Sequence, residues 1–222
     1  MSINIFKILK DFLLLLSNFK KTEEYTMRTV ILDAGHGGMI DNIYQTNGKR
    51  SPVWPDGRQY YEGVGNRELV KGIANRLKKD GIKVITLVPE QEDISLTKRC
   101  KRANSETGES VFISVHSNAA DVESASGFEA FSYRKTGLSG DFTNIFYNEF
   151  IKEFPESKVR YGAKKTGKTA NFKVLRSTTM PAVLLELFFM TNEDDCELLM
   201  SKEGQEKIIS FCVKAIKKIV KL

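Results

Sequence analysis

The 222-residue chain has only two histidines, His36 and His116, and each follows a short apolar run. His36 stands in ILDAGHGG (residues 31–38), among glycines that let the backbone turn sharply and let a ligand approach closely. His116 stands in FISVHSNAA (residues 112–120), an apolar run followed by small polar residues. One histidine at a strand end is ordinarily a hydrogen-bonded structural residue. When a chain's only two histidines both occupy strand ends with small neighbours, a metal site becomes the sharper reading. Neutral imidazole is a preferred zinc ligand, and two of them plus a carboxylate leave one coordination position open for water.

Two acids compete to be that carboxylate. In YYEGVGNRELVKGIANRL (residues 60–77), Glu62 sits in a loop just before a helical pattern, and Glu68 lies one turn into it. Spacing alone does not choose between them. Glu68 reads as solvent-facing, whereas a loop residue ahead of the helix can point into a crevice. Glu186 is an acid of another kind, the one carboxylate inside the apolar run PAVLLELFFM (residues 181–190). A charge there is costly unless it is paired or keeps its proton. A buried acid with a raised pKa next to a metal is suited to act as a general base.

The elements that must position these residues alternate. Strands are expected at Arg28–Asp33, Lys83–Val88, Val111–Val115, Gly127–Tyr133, Phe172–Leu175 and Ala182–Leu187. Helical spacing marks Asn66–Lys79, Ser95–Asn104 with Ser95 as cap, Asp141–Phe154, Glu193–Met200 and Gln205–Lys221. This alternation predicts a single α/β domain with a twisted, mostly parallel or mixed central sheet flanked by helices. In such sheets the active site lies beyond the carboxyl ends of the strands. The chemically loaded strand ends are Asp33/His36, His116 and Glu186, together with the Pro89–Asp93 loop, whose acids look ordinary.

Composition bounds the rest. Hydrophobic residues at 41% and charged residues at 28% exclude a disordered chain, a collagen-like fibre and a multi-span membrane protein. A net charge of +6 favours polyanionic surfaces but names no partner. Cys100, Cys196 and Cys212 form no CxxC and read as small core residues of a chain made in a reducing compartment. Residues 1–26 form an apolar and basic extension, with a dense run from Phe12 to Leu16 between lysines. The run is too short to span a bilayer, and Asp11 interrupts it where a signal peptide would be continuous. An interfacial or packing helix, with membrane contact, and a natural start at Met27 both stay open. The catalytic unit is expected over residues 27–222, as a monomer without nucleic-acid partners.

Taken together, the ordered motifs resemble the zinc-dependent N-acetylmuramoyl-L-alanine amidases of the amidase-3 type, found among cell-separation enzymes, spore-lysis enzymes and phage endolysins. The resemblance runs along nearly the whole of residues 28–200 and rests on ILDAGHGG, on Glu62 followed four positions later by Asn66, on LTKRCKRAN (residues 96–104), on FISVHSNAA, on GFEAF (residues 127–131) and on FKVLRSTTMPAVLLELFFMTNEDD (residues 172–195). It implies a phosphorylase/hydrolase-like fold, and Zn²⁺ as cofactor, held by His36, Glu62 and His116, with Glu186 catalytic. It favours Glu62 over Glu68. It also implies hydrolysis of the amide between N-acetylmuramic acid and L-alanine in peptidoglycan, by an enzyme made in the cytoplasm that acts on the cell wall or periplasm. The long insertion Met39–Tyr61, with Trp54, Tyr60 and Tyr61, and Gly63 where a lysine is common, depart from the family pattern. Trp54, Tyr61, Asn118 and Arg176 are the expected substrate contacts. A zinc carboxypeptidase-like peptide hydrolase is the second reading. It would need an arginine clamp, for which Arg99 and Arg176 are available. An inactive envelope-binding module is the third, against which the intact His36, Glu62, His116 and Glu186 argue.

Overall fold

The computed structural model describes residues 28–160, 162 and 166–222. The chain runs through β1 (Thr29–Ala34), a hairpin of β2 (Met39–Ile40) and β3 (Ile43–Tyr44), α1 (Glu62–Lys79), β4 (Val84–Thr86), α2 (Leu96–Asn104) and β5 (Ser110–Asn118). It continues through β6 (Phe128–Ser132), α3 (Leu138–Glu153), β7 (Lys168–Thr169), α4 (Lys173–Arg176), β8 (Ala182–Phe189), α5 (Glu193–Met200) and α6 (Lys202–Ile219). Six strands form one mixed sheet in the order β4-β1-β5-β8-β6-β7. Every neighbouring pair is parallel except β6 against β8. The residues 1–26 discussed above lie outside the described residues. Among the described residues, no helix is long and apolar enough to cross a membrane.

Strand alternation divides the sheet into two faces. Val30, Leu32, Val111, Ile113, Val115, Val183, Leu185 and Leu187 bury against one face, where α1, α3 and α6 supply Leu69, Ile73, Phe146, Phe150, Ile208 and Ile216. The alternate positions Ile31, Phe112, Ala182 and Leu184 bury a smaller core with Cys100 and Ala103 of α2 and Val174 and Leu175 of α4. Along this second face the side chains turn from apolar to polar towards the carboxyl ends, at Asp33, Ser114, His116 and Glu186. All three cysteines are buried and unpaired.

Several elements differ from the sequence reading. Phe172–Leu175, read as a strand, instead enters the one-turn helix α4, with Phe172 extended just ahead of it. Four apolar-rich residues are too few for periodicity to decide, and burial of Val174 and Leu175 beside Cys100 decides it instead. Glu62 opens α1 rather than preceding it, so the helix starts four residues before Asn66. His116 and Glu186 lie within their strands, because β5 continues to Asn118 and β8 to Phe189. β7 and the β2–β3 hairpin had no signal, each strand being two residues long. The hairpin turns at Asp41 and Asn42, both with positive φ (48° and 62°), as a two-residue turn matched to strand twist requires. Ser95 caps α2 as expected, its side chain accepting from the Lys98 N–H.

Candidate metal centre

Three elements converge at the carboxyl end of the sheet. His36 follows β1 in the left-handed region, with φ of 65°, a conformation costly for a residue with a Cβ. Two arginines hold its backbone there. Arg67 Nη1 and Arg99 Nη2 each donate to the His36 carbonyl at 2.9 Å. Arg99 is 1% exposed, and it also donates to Asp33 Oδ1 and the Ala34 carbonyl at 2.6 Å and to the Ile94 carbonyl at 2.7 Å. Asp33 in turn accepts from Ser114 Oγ at 2.7 Å, which ties β1 to β5 beneath the site. Thus both residues of the Asp33/His36 strand end serve the site, Asp33 from below.

Glu62 is 2% exposed and faces both imidazoles. Its Oε2 lies 3.2 Å from His36 Nε2, and its Oε1 lies 2.9 Å from His116 Nδ1. The two rings meet edge to face, with centroids 4.9 Å apart. One ligand atom from each of His36, Glu62 and His116 lies within 4.8 Å of the others. Burial pushes the Glu62 carboxyl up, but hydrogen bonds and charge from His116 and His36 outweigh it and leave the carboxyl ionised well below its ordinary range. Burial lowers the His116 imidazole, and the Glu62 carboxylate more than reverses that, so the net direction is up. A buried carboxylate against two imidazoles is a donor set that suits a borderline divalent cation. These three side chains can therefore hold a metal ion.

Glycines make the convergence sterically feasible. A Cβ on Gly35 would sit 2.2 Å from His116 Cε1, and one on Gly63 would sit 1.8 Å from the Gly37 carbonyl. Gly63 thus does steric work that no residue with a side chain could do here. Tyr44 fastens the hairpin to the start of α1, since the Gly63 N–H donates to its hydroxyl at 2.9 Å. Asn66 Nδ2 donates to the Gly35 carbonyl at 3.3 Å, from a fully buried position one turn into α1. Glu68 is exposed, as its spacing suggested.

Glu186 pairs with His116 across the parallel β5–β8 register. Burial pushes its carboxyl up to about 7, with Glu62 and Glu129 adding to the rise and His116 opposing it. Beyond it β8 is irregular: Asn118 pairs with Phe189, and buried Phe188 takes a φ of 65°. A bulge of this kind re-aims a strand next to the site.

The expected substrate contacts disperse. Trp54 turns inward, its indole Nε1 donating to Cys196 Sγ at 3.3 Å while it packs on the larger core. Tyr60 is buried, with its hydroxyl 3.0 Å from Ser117 Oγ. Tyr61 is half-buried and packs on Tyr44, with ring centroids 5.0 Å apart. Asn118 Nδ2 donates to Glu129 Oε2 at 2.7 Å. Arg176 is exposed and donates to Asn171 Oδ1 at 2.6 Å. Arg99, proposed above as part of a carboxylate clamp, is spent on Asp33 and backbone carbonyls and offers no free fork. Glu129 and Arg67 escaped the sequence reading. GFEAF gave a polar position amid strand residues as the only signal for Glu129.

A family model described as N-acetylmuramoyl-L-alanine amidase matches residues 30–218. The chain belongs to this amidase family. Among relatives, it is similar to the endolysin of Bacillus phage SPP1, 30% identical over 181 residues, covering 78% of this chain and 58% of that protein. It is also similar to the N-acetylmuramoyl-L-alanine amidase CwlM of Bacillus licheniformis, 32% identical over 180 residues, covering 79% of this chain and 62% of CwlM. This amidase-family chain thus spans about three fifths of the length of both relatives. The solved structure of N-acetylmuramoyl-L-alanine amidase from Clostridium difficile 630 superposes with a TM-score of 0.72 at 27% identity, covering 87% of this chain and 96% of that one.

Proposed function

We propose that residues 27–222 hydrolyse the amide between N-acetylmuramic acid and L-alanine in peptidoglycan, at the cell wall, with Zn²⁺ held by His36, Glu62 and His116. The observation that carries this reading is the convergence of both Glu62 oxygens on the two imidazoles, with Glu186 in register beside His116. When bound, the ion supplies a Lewis acid that polarises the scissile carbonyl and makes water a nucleophile near neutral pH. Glu186 takes the proton of the attacking water and delivers it to the leaving nitrogen. Its burial keeps the carboxyl basic enough for the first transfer and acidic enough for the second. Glu62, ionised and buried, faces both imidazoles and would bind the ion beside them. Arg99 and Arg67 hold the strained His36 backbone, so the site stays preorganised.

The carboxypeptidase reading needs a free guanidinium to clamp a terminal carboxylate; Arg99 is fully engaged, which leaves that role to the exposed Arg176 alone. Product analysis tests the choice. Purified peptidoglycan digested by the protein should yield new amino-terminal L-alanine and intact glycan chains. Release of carboxyl-terminal amino acids, or cleavage of free peptides at a matching rate, would contradict the amidase assignment.

A further inference from the structure

A base that protonates the leaving nitrogen must stand on the leaving group's side of the scissile bond. Resting on the amidase reading above, this places the stem peptide over Glu186 and the acyl side with its sugar towards His36 and His116. Past Glu186 the sheet continues into β6 and β7. Glu129 pairs directly with Glu186 in the antiparallel β6–β8 register, so their side chains rise from one face with Cβ atoms about 5 Å apart.

Glu129 is 6% exposed and has both oxygens occupied. Asn118 Nδ2 donates to Oε2 at 2.7 Å, Arg160 Nε donates to Oε1 at 3.0 Å, and Lys168 Nζ donates to the same Oε1. Two cations therefore share the Glu129 carboxylate. Arg160 gives only Nε to Glu129. Its Nη1 and Nη2 make no hydrogen bond among the described residues, and its side chain is 42% exposed. The guanidinium lies 5.1 Å from the Phe189 ring centroid, which orients its plane. The opposite flank of the site is unlike this one. There a cleft of about 360 Å³ runs from His36 and His116 past Arg99 to Ile94, Leu96 and the Asp93 carboxylate, and the cation in it, Arg99, is already bonded to Asp33 and backbone carbonyls.

We propose that Arg160 and Lys168 form a carboxylate subsite that reads the α-carboxyl of the second stem-peptide residue. That residue is a γ-linked D-glutamate whose α-carboxyl is either free or amidated. In an extended stem it stands about 7 Å from the scissile nitrogen. One to two strand spacings of about 4.8 Å separate Glu186 from the cations around Glu129, a matching reach. Glu129 acts as the internal counter-ion that aims the pair.

The test uses two synthetic N-acetylmuramoyl tetrapeptides that differ only in a carboxylate or carboxamide at the second residue. The wild-type chain should favour the carboxylate by about tenfold or more in kcat/KM, the size of a charge-assisted contact. Arg160→Gln and Lys168→Gln should each move that ratio towards one, and circular dichroism should show both variants folded. A wild-type ratio near one, or an unchanged ratio in both variants, would overturn the subsite alone. Cleavage of neither substrate would overturn the amidase reading and the subsite with it.

Discussion

His116 and Glu186 are register partners on adjacent parallel strands, about 4.8 Å apart along the sheet and facing the same side. The same register places Glu129 on the far side of Glu186. One row across β5, β8 and β6 therefore runs from a metal-ligand candidate to a base candidate to a charged flank.

On the proposed mechanism, that row separates metal binding from proton transfer. Glu186→Gln should retain zinc at the wild-type ratio, measured by atomic absorption, and lose about 10²- to 10⁴-fold in turnover of peptidoglycan, the usual share of a general base. Full turnover by this variant would remove Glu186 from the mechanism. His36→Ala should lose both zinc and activity.

Gly35→Ala tests the packing beneath the metal centre. The added Cβ would collide with the His116 ring, 2.2 Å from Cε1. The imidazole must then leave Glu62, and zinc affinity should fall by at least tenfold in competition with a chromophoric chelator. Wild-type affinity would show that the ring has room to yield.

Arg99→Met should cost about 3–5 kcal/mol of unfolding free energy, because Asp33 would keep a buried charge without its partner. Urea midpoints read this directly. Adding Asp33→Asn should recover part of the loss, and a single-variant cost below about 1 kcal/mol would contradict the role given to the pair.

On the proposed mechanism, the acid limb of activity belongs to Glu186. Only its ionised form accepts a proton, so kcat/KM should fall as pH falls through its midpoint. Burial places that midpoint at about 7, and a cation at the three ligands draws it lower. In the metal-free chain the sign for stability is opposite. A carboxyl whose folded pKa lies above its unfolded value of 4.5 makes the fold lose stability as pH rises from about 4.5 to 7. A rate that climbs on acidification from pH 7 to 5 would contradict the assignment.

How much of this could be read from the sequence follows from the range of each interaction. His36, His116 and Glu186 announce themselves because apolar strands rarely carry such residues without a reason, and the structure brings the two histidines together around Glu62. The strand–helix alternation likewise translates into the mixed sheet. Arg99 looked free in the sequence because its partner Asp33 lies 66 residues away. Trp54 looked like a substrate platform because its partner Cys196 is 142 residues distant. Phe172–Leu175 was too short for its period to distinguish strand from helical turn, and Glu129 takes its meaning only from pairing across β6 and β8.

Zinc titration of the metal-stripped protein, with activity on purified peptidoglycan followed at each step, decides whether His36, Glu62 and His116 hold a working metal. Activity should be absent without metal, recover in proportion to bound zinc, and saturate at one ion per chain. Activity that survives complete metal removal, or that ignores the zinc restored, would contradict that assignment.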